Sequence, residues 1–104
     1  MAILIVDDER DFRESLEEIL REEGYDVMTA SSTAEALKVM KKRHITMMLL
    51  DYSMPGMSGE EFIHELDRKN KRPPSLIVTA LAPWQLMELM KIGVGYIRKP
   101  VNTQ

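Results

Sequence analysis

The chain has 104 residues, 17 acidic and 14 basic, and its net charge of -3 is spread without long like-charge blocks. That is one domain, residues 1–104, long enough to bury a single core and without the basic patch that a nucleic-acid surface needs. No cysteine is present and no apolar run nears the roughly 18 residues of a membrane-crossing helix, so disulfides, thiolate metal sites and such a span are excluded. A soluble cytoplasmic domain without a leader is expected.

Apolar runs alternate with segments of helical period. Ala2-Ile3-Leu4-Ile5-Val6 is apolar throughout, as a strand covered on both faces of a parallel sheet would be. Residues 12–23 follow with Phe12, Leu16, Ile19 and Leu20 at helical spacing, and Gly24 is a C-terminal stop. Tyr25 to Ala30 is more mixed and predicts an edge strand. Ser32-Thr33-Ala34-Glu35 has capping-box form and opens a helix to about Lys42, with Leu37 and Met40 inward. Ile45 to Leu50 is the third strand. A second capping box, Ser58 to Glu61, starts a helix whose apolar face is Phe62, Ile63 and Leu66. After Pro73-Pro74, Leu76-Ile77-Val78 is the fourth strand. Pro83 suits the first turn of a fourth helix ended by Gly93, and Tyr96 to Lys99 is the fifth strand. Alternating strands and helices with short connections predict an α/β fold, a doubly wound five-stranded parallel sheet.

In such sheets ligands bind beyond the carboxyl ends of the strands. Asp7, Asp8, Asp51 and Thr79 all fall at that edge, and Lys99 lies in the last strand. Clustered carboxylates repel one another unless one is protonated or a cation binds, and magnesium suits hard oxygen ligands together with phosphate. Asp8 and Asp51 fit as direct ligands, with Asp7 acting mainly through water. A carboxylate can also attack phosphorus to give an acyl phosphate. Lys99, the metal and the Thr79 hydroxyl would then each meet one phosphoryl oxygen. Taken singly, each residue has an ordinary explanation as a cap, a solvated lysine or a β-former. The whole set at one edge does not.

Val6-Asp7-Asp8-Glu9, Leu50-Asp51-Tyr52-Ser53-Met54-Pro55-Gly56-Met57-Ser58-Gly59, Val78-Thr79-Ala80 and Tyr96-Ile97-Arg98-Lys99-Pro100 resemble the signatures of bacterial response-regulator receiver domains, in order, over residues 2–101. The resemblance implies a flavodoxin-like sheet with strand order 2-1-3-4-5. It implies that Asp51 is the phosphoacceptor, charged by a sensor histidine kinase or a phosphotransfer protein. It implies magnesium held by Asp7, Asp8, Asp51 and the Ser53 backbone carbonyl, with Lys99 binding phosphate and Lys99-Pro100 joined by a cis peptide. Thr79 and Tyr96 would be the switch residues. They would bias a surface of the fourth helix and fifth strand that meets an unknown downstream protein.

The chain departs from the family pattern between Thr79 and Lys99, where it is shorter by a residue on each side of the fourth helix. Leu81 stands two after Thr79, where an apolar side chain cannot orient an attacking water, which predicts a longer-lived acyl phosphate. His44 and His64 are expected at the surface. Of nine methionines, Met40, Met47 and Met48 are expected in the core. Leu86, Met87, Leu89 and Met90 span a wide arc, with Trp84 further round; the arc suits an interaction surface, although taken singly each residue is more readily a packed edge.

The leading reading is a signalling switch, not an enzyme, with no output domain in this chain. A magnesium phosphohydrolase working through an aspartyl phosphate is the alternative, although the usual second aspartate is replaced by Ser53. A receiver-like binding module that is never phosphorylated is the third. The family's closing fifth helix has no counterpart in Val101-Asn102-Thr103-Gln104, so the sheet face beside the first helix is expected to be open and to favour a homodimer, or else to leave the isolated monomer poorly stable.

Overall fold

The computed structural model describes residues 2–99. Five parallel strands, β1 (Ala2–Val6), β2 (Val27–Ala30), β3 (Ile45–Asp51), β4 (Ser75–Thr79) and β5 (Gly95–Arg98), form one sheet in the order β2-β1-β3-β4-β5. The connections carry α1 (Arg10–Glu22), α2 (Thr33–Lys42), α3 (Gly59–Arg68) and α4 (Met87–Lys91). This is the doubly wound sheet expected, with β2 at an edge as its mixed composition suggested. The Lys99–Pro100 peptide and any fifth helix lie outside the described residues.

Strand alternation divides the core in two. Leu4, Val6, Met48, Leu50 and Ile77 face a cluster with Ala36 of α2, Phe62, Ile63 and Leu66 of α3, and Leu86 and Leu89. Ile5, Val27, Leu49 and Val78 face the other way, against Phe12, Leu16 and Leu20 of α1. The second face is the thinner. α1 contains no fully buried residue, Ile3 and Leu76 are half-buried, and Met47 and Ile97 are 36% and 38% exposed. The expectation that Met47 fills the core is therefore corrected. Met48, one residue on, points to the closed side, and the alternation leaves Met47 beyond the reach of α1.

Local details differ from expectation for identifiable reasons. Tyr25 is outside β2 because its N–H closes the end of α1 on the Leu20 carbonyl (3.1 Å) across Gly24 at φ +93°. The α2 capping box is half formed. Ser32 Oγ accepts from the Glu35 N–H at 3.1 Å, while the Glu35 carboxylate is taken by the Ser31 hydroxyl. At α3 the box is complete, Ser58 and Glu61 each bonding the other's N–H at 3.1 Å. The expected fourth helix is split into a 3-10 turn (Pro83–Leu86) and the five-residue α4. A 3-10 turn advances about 2.0 Å per residue against about 1.5 Å for an α-helix, so the tighter winding covers more length with fewer residues between β4 and α4.

The fourth-helix arc also divides. Leu86 and Leu89 are buried, whereas Trp84 is 72% exposed and Met87 and Met90 lie outward. His44 and His64 are exposed, as expected.

Candidate functional site

The register sets the site. Val6 pairs with Leu50, so Asp7, one residue past β1, meets Asp51 at the end of β3. Asp51 pairs with Val78, which puts Thr79 one step beyond, and Thr79 pairs with Arg98, which puts Lys99 at the same edge. Neighbouring strands are about 4.8 Å apart, so these groups converge whatever their distance in sequence.

Asp7, Asp8 and Asp51 each offer a carboxylate oxygen within 4.8 Å of the others, with Asp7 and Asp51 buried and Asp8 exposed. Asp7 is held from both ends. Its Oδ1 accepts the Glu9 N–H at 2.8 Å, and Arg13 Nη1 donates to its carbonyl at 2.8 Å. Lys99 Nζ reaches Asp7 Oδ2 at 3.0 Å and Asp51 Oδ1 at 3.6 Å, and lies 4.4 Å from the centre of the Phe12 ring. Cation–π attraction there adds to the ion pairs.

Burial pushes the Asp51 carboxyl up to about 6; the Asp7 charge adds to the rise, and Lys99 and the Ser53 backbone N–H only partly oppose it. Lys99 moves the other way from what burial dictates. Burial would lower its pKa, but the Asp7 hydrogen bond and the Asp51 charge outweigh that and raise it. One ammonium thus does not neutralise three carboxylates. The donor set of hard oxygens, one side open at Asp8, fits a divalent cation. Cation affinity is expected to fall about tenfold for each pH unit below 6, because Asp51 must release its proton to bind. Calorimetric titration on both sides of pH 6 checks this, and a flat profile would contradict it.

Thr79 is buried at the same edge, but its hydroxyl accepts the Leu81 N–H at 3.1 Å and makes no hydrogen bond to a site carboxylate among the described residues. Lys99 N–H bonds the Thr79 carbonyl at 2.6 Å and ties the two strand ends together. Tyr96 is half-buried against the α3–α4 side of the core. Sequence reasoning missed Phe12, Arg13 and Gly59. A Cβ on Gly59 would lie 2.6 Å from the Asp51 carbonyl oxygen, so only glycine lets α3 start directly against the end of β3. The glycine is visible in the motif; its reason is not, because the near approach is tertiary.

The family described as response regulator receiver domain matches residues 3–104. The chain belongs to that family. Receiver domains of response regulators are signalling switches. The two-component response regulator PhoP of Pseudomonas aeruginosa is 38% identical over 102 residues, 96% of this chain and 45% of PhoP. Chemotaxis protein CheY-3 of Vibrio cholerae is 36% identical over 105 residues, 96% of this chain and 81% of CheY-3. The response regulator TrrA of Thermotoga maritima, solved in complex with Mg2+ and BeF, superposes with a TM-score of 0.82 at 38% identity, covering 98% of this chain and 90% of TrrA. This receiver domain spans 32–45% of the length of several curated relatives, among them transcriptional regulators. No helix among the described residues is long and apolar enough to cross a membrane.

Proposed function

We propose that this receiver domain is a cytoplasmic, magnesium-dependent switch that accepts a phosphoryl group on Asp51 from a sensor histidine kinase or a phosphotransfer protein. The observation that carries this is the meeting of three carboxylates with Lys99 at one sheet edge. An Asp51 oxygen attacks the phosphorus of a phosphohistidine. The P–N bond breaks with its electron pair going to the imidazole, and an acyl phosphate forms on Asp51. Magnesium, when bound by Asp7, Asp8, Asp51 and the Ser53 carbonyl, supplies positive charge for the phosphoryl oxygens. Lys99 neutralises another oxygen, for which its ammonium must leave Asp51.

The Thr79 hydroxyl, which accepts the Leu81 N–H, then moves to donate its own proton to a phosphoryl oxygen. That movement pulls on the loop into the 3-10 turn and α4, while Tyr96 packs behind it. The readout surface is the 3-10 turn, α4 and β5, where Trp84, Met87 and Met90 are exposed to a downstream protein. Leu81 cannot orient a water, so the acyl phosphate is long-lived.

Acetyl phosphate with magnesium tests the reading. Stoichiometric, persistent labelling is expected. Rapid turnover would mark a phosphohydrolase, and absence of reaction a receiver-like binding module.

The open face of Ile3, Met47, Leu76 and Ile97 supports a homodimer formed through it. Sedimentation of the 104-residue chain at micromolar concentration is expected to show self-association that Met47→Glu with Ile97→Glu abolishes. A stable wild-type monomer that binds no neutral hydrophobic dye would contradict it.

A further inference from the structure

A cleft of about 780 Å³ opens at the edge of the sheet opposite the acidic site. It lies between the C-terminal ends of α2 and α3 and the first residues of β3. Ile45 and Asp51 are the two ends of β3, so about 20 Å separates the cleft from Asp51. Its volume falls in the range of small-molecule sites. Leu37, Met40, Ile45 and Leu66 give it an apolar floor.

The rim is cationic, and among the described residues no acidic side chain lines the cleft. In a chain of net charge -3, eight of the 14 Lys and Arg residues fall within positions 38–43 and 68–72. Complementing the helix dipoles explains Lys41, Lys42 and Arg68, which sit in the last turns of α2 and α3. It does not explain Lys71 and Arg72, which lie beyond the end of α3. Asn70, left-handed at φ +55°, turns the chain back so that the Lys71 N–H bonds the Leu66 carbonyl at 2.9 Å, and this fixes the rim in place.

Arg43 and Arg72 pair with Asp26 and Asp67, whereas Lys41 and Lys71 are exposed and form no ion pair among the described residues. Arg72 also donates from Nη2 to the Ile92 carbonyl at 2.9 Å, which places the cleft one hydrogen bond from the end of α4.

We propose that this cleft is a second ligand site, for a compact amphiphilic anion. The ligand is an aromatic or short aliphatic body bearing a carboxylate, phosphate or sulfonate, the body on Leu37, Met40 and Leu66 and the anionic group on the Lys41–Lys71 rim. Apolar burial supplies much of the binding, and charge-assisted hydrogen bonds fix orientation and select the anion.

The probes are 8-anilinonaphthalene-1-sulfonate and its uncharged counterpart N-phenyl-1-naphthylamine, titrated into the full chain with backbone amide NMR as the readout. The sulfonate is expected to saturate one site and shift amides in 37–46 and 66–72. In the Lys41→Glu, Lys71→Glu double variant its affinity should fall about tenfold or more, with the uncharged probe little affected. Both lysines are exposed, so the variant keeps its fold, which the unshifted amides of the sheet confirm. Equal binding of the two probes, shifts centred on Ile3, Met47 and Ile97, unaltered affinity in the variant, or no saturable binding would each overturn the proposal. Binding to phosphatidylglycerol vesicles that needs both lysines, without binding of the soluble sulfonate, would also overturn it in favour of a lipid surface.

Discussion

Asp51→Asn is expected to abolish labelling by acetyl phosphate, because an amide oxygen is a poor nucleophile and Asp51 is the carboxylate that faces both Asp7 and Lys99. The same change should stabilise the cation-free protein. The Asp51 carboxyl titrates at about 6 in the fold against 3.8 in a free chain. Between those values the folded state holds more protons, so this group favours folding below pH 3.8 and its contribution is lost as pH rises through about 6.

At neutral pH the buried charge is therefore a cost, and Asn removes it. With allowance for residual solvent, the gain is about 1–2 kcal/mol. Denaturant unfolding with and without magnesium checks this, alongside intact-mass detection of the acyl phosphate. Wild type should gain on magnesium addition and rise in stability toward pH 5, whereas Asp51→Asn should show less of both. Ordinary labelling of the variant would sink the assignment of Asp51. Labelling lost without any stabilisation would retain the nucleophile but refute the electrostatic account.

Lys99→Ala separates the metal from the phosphoryl group. In the wild type the ammonium lies 3.0 Å from Asp7 and 3.6 Å from Asp51, in competition with any cation for those oxygens. Removing it should leave magnesium binding intact or tighten it severalfold, since a repelling positive charge is lost. The rate of phosphoryl transfer should fall by roughly 10²–10³, the usual effect of deleting one charged partner of a developing anion.

Without magnesium the variant should lose stability, because three carboxylates then face one another with no ammonium among them. Magnesium should restore that loss. Calorimetry for the ion and labelling kinetics for the phosphoryl group distinguish the two effects. If magnesium affinity collapsed while labelling survived, the roles of metal and lysine would be reversed. Substitution of Phe12 by Leu gives a milder control, since it removes only the ring lying 4.4 Å from the ammonium.

The sequence by itself determined the alternation of strands and helices, because period-2 and period-3.6 apolar patterns and the glycine and serine punctuation are local signals. The alternation in turn put Asp7, Asp51 and Thr79 at strand ends, and the family motifs ordered the strands as observed. Asp7 and Asp51 became neighbours only through the parallel register of β1 with β3, which no local signal encodes. The raised pKa of Asp51 depends on burial and on three charges from other elements, so it belongs to the tertiary structure alone.

The same holds for the 3-10 turn before α4. Pro83 and Gly93 marked the limits of one helix in the sequence, but only the fold divided it into a 3-10 turn and a short α-helix. Met47 and Met48 show the limit most plainly. Adjacent and chemically identical, they point to opposite faces of one sheet, and only the uneven helical cover of those faces leaves one exposed and the other buried.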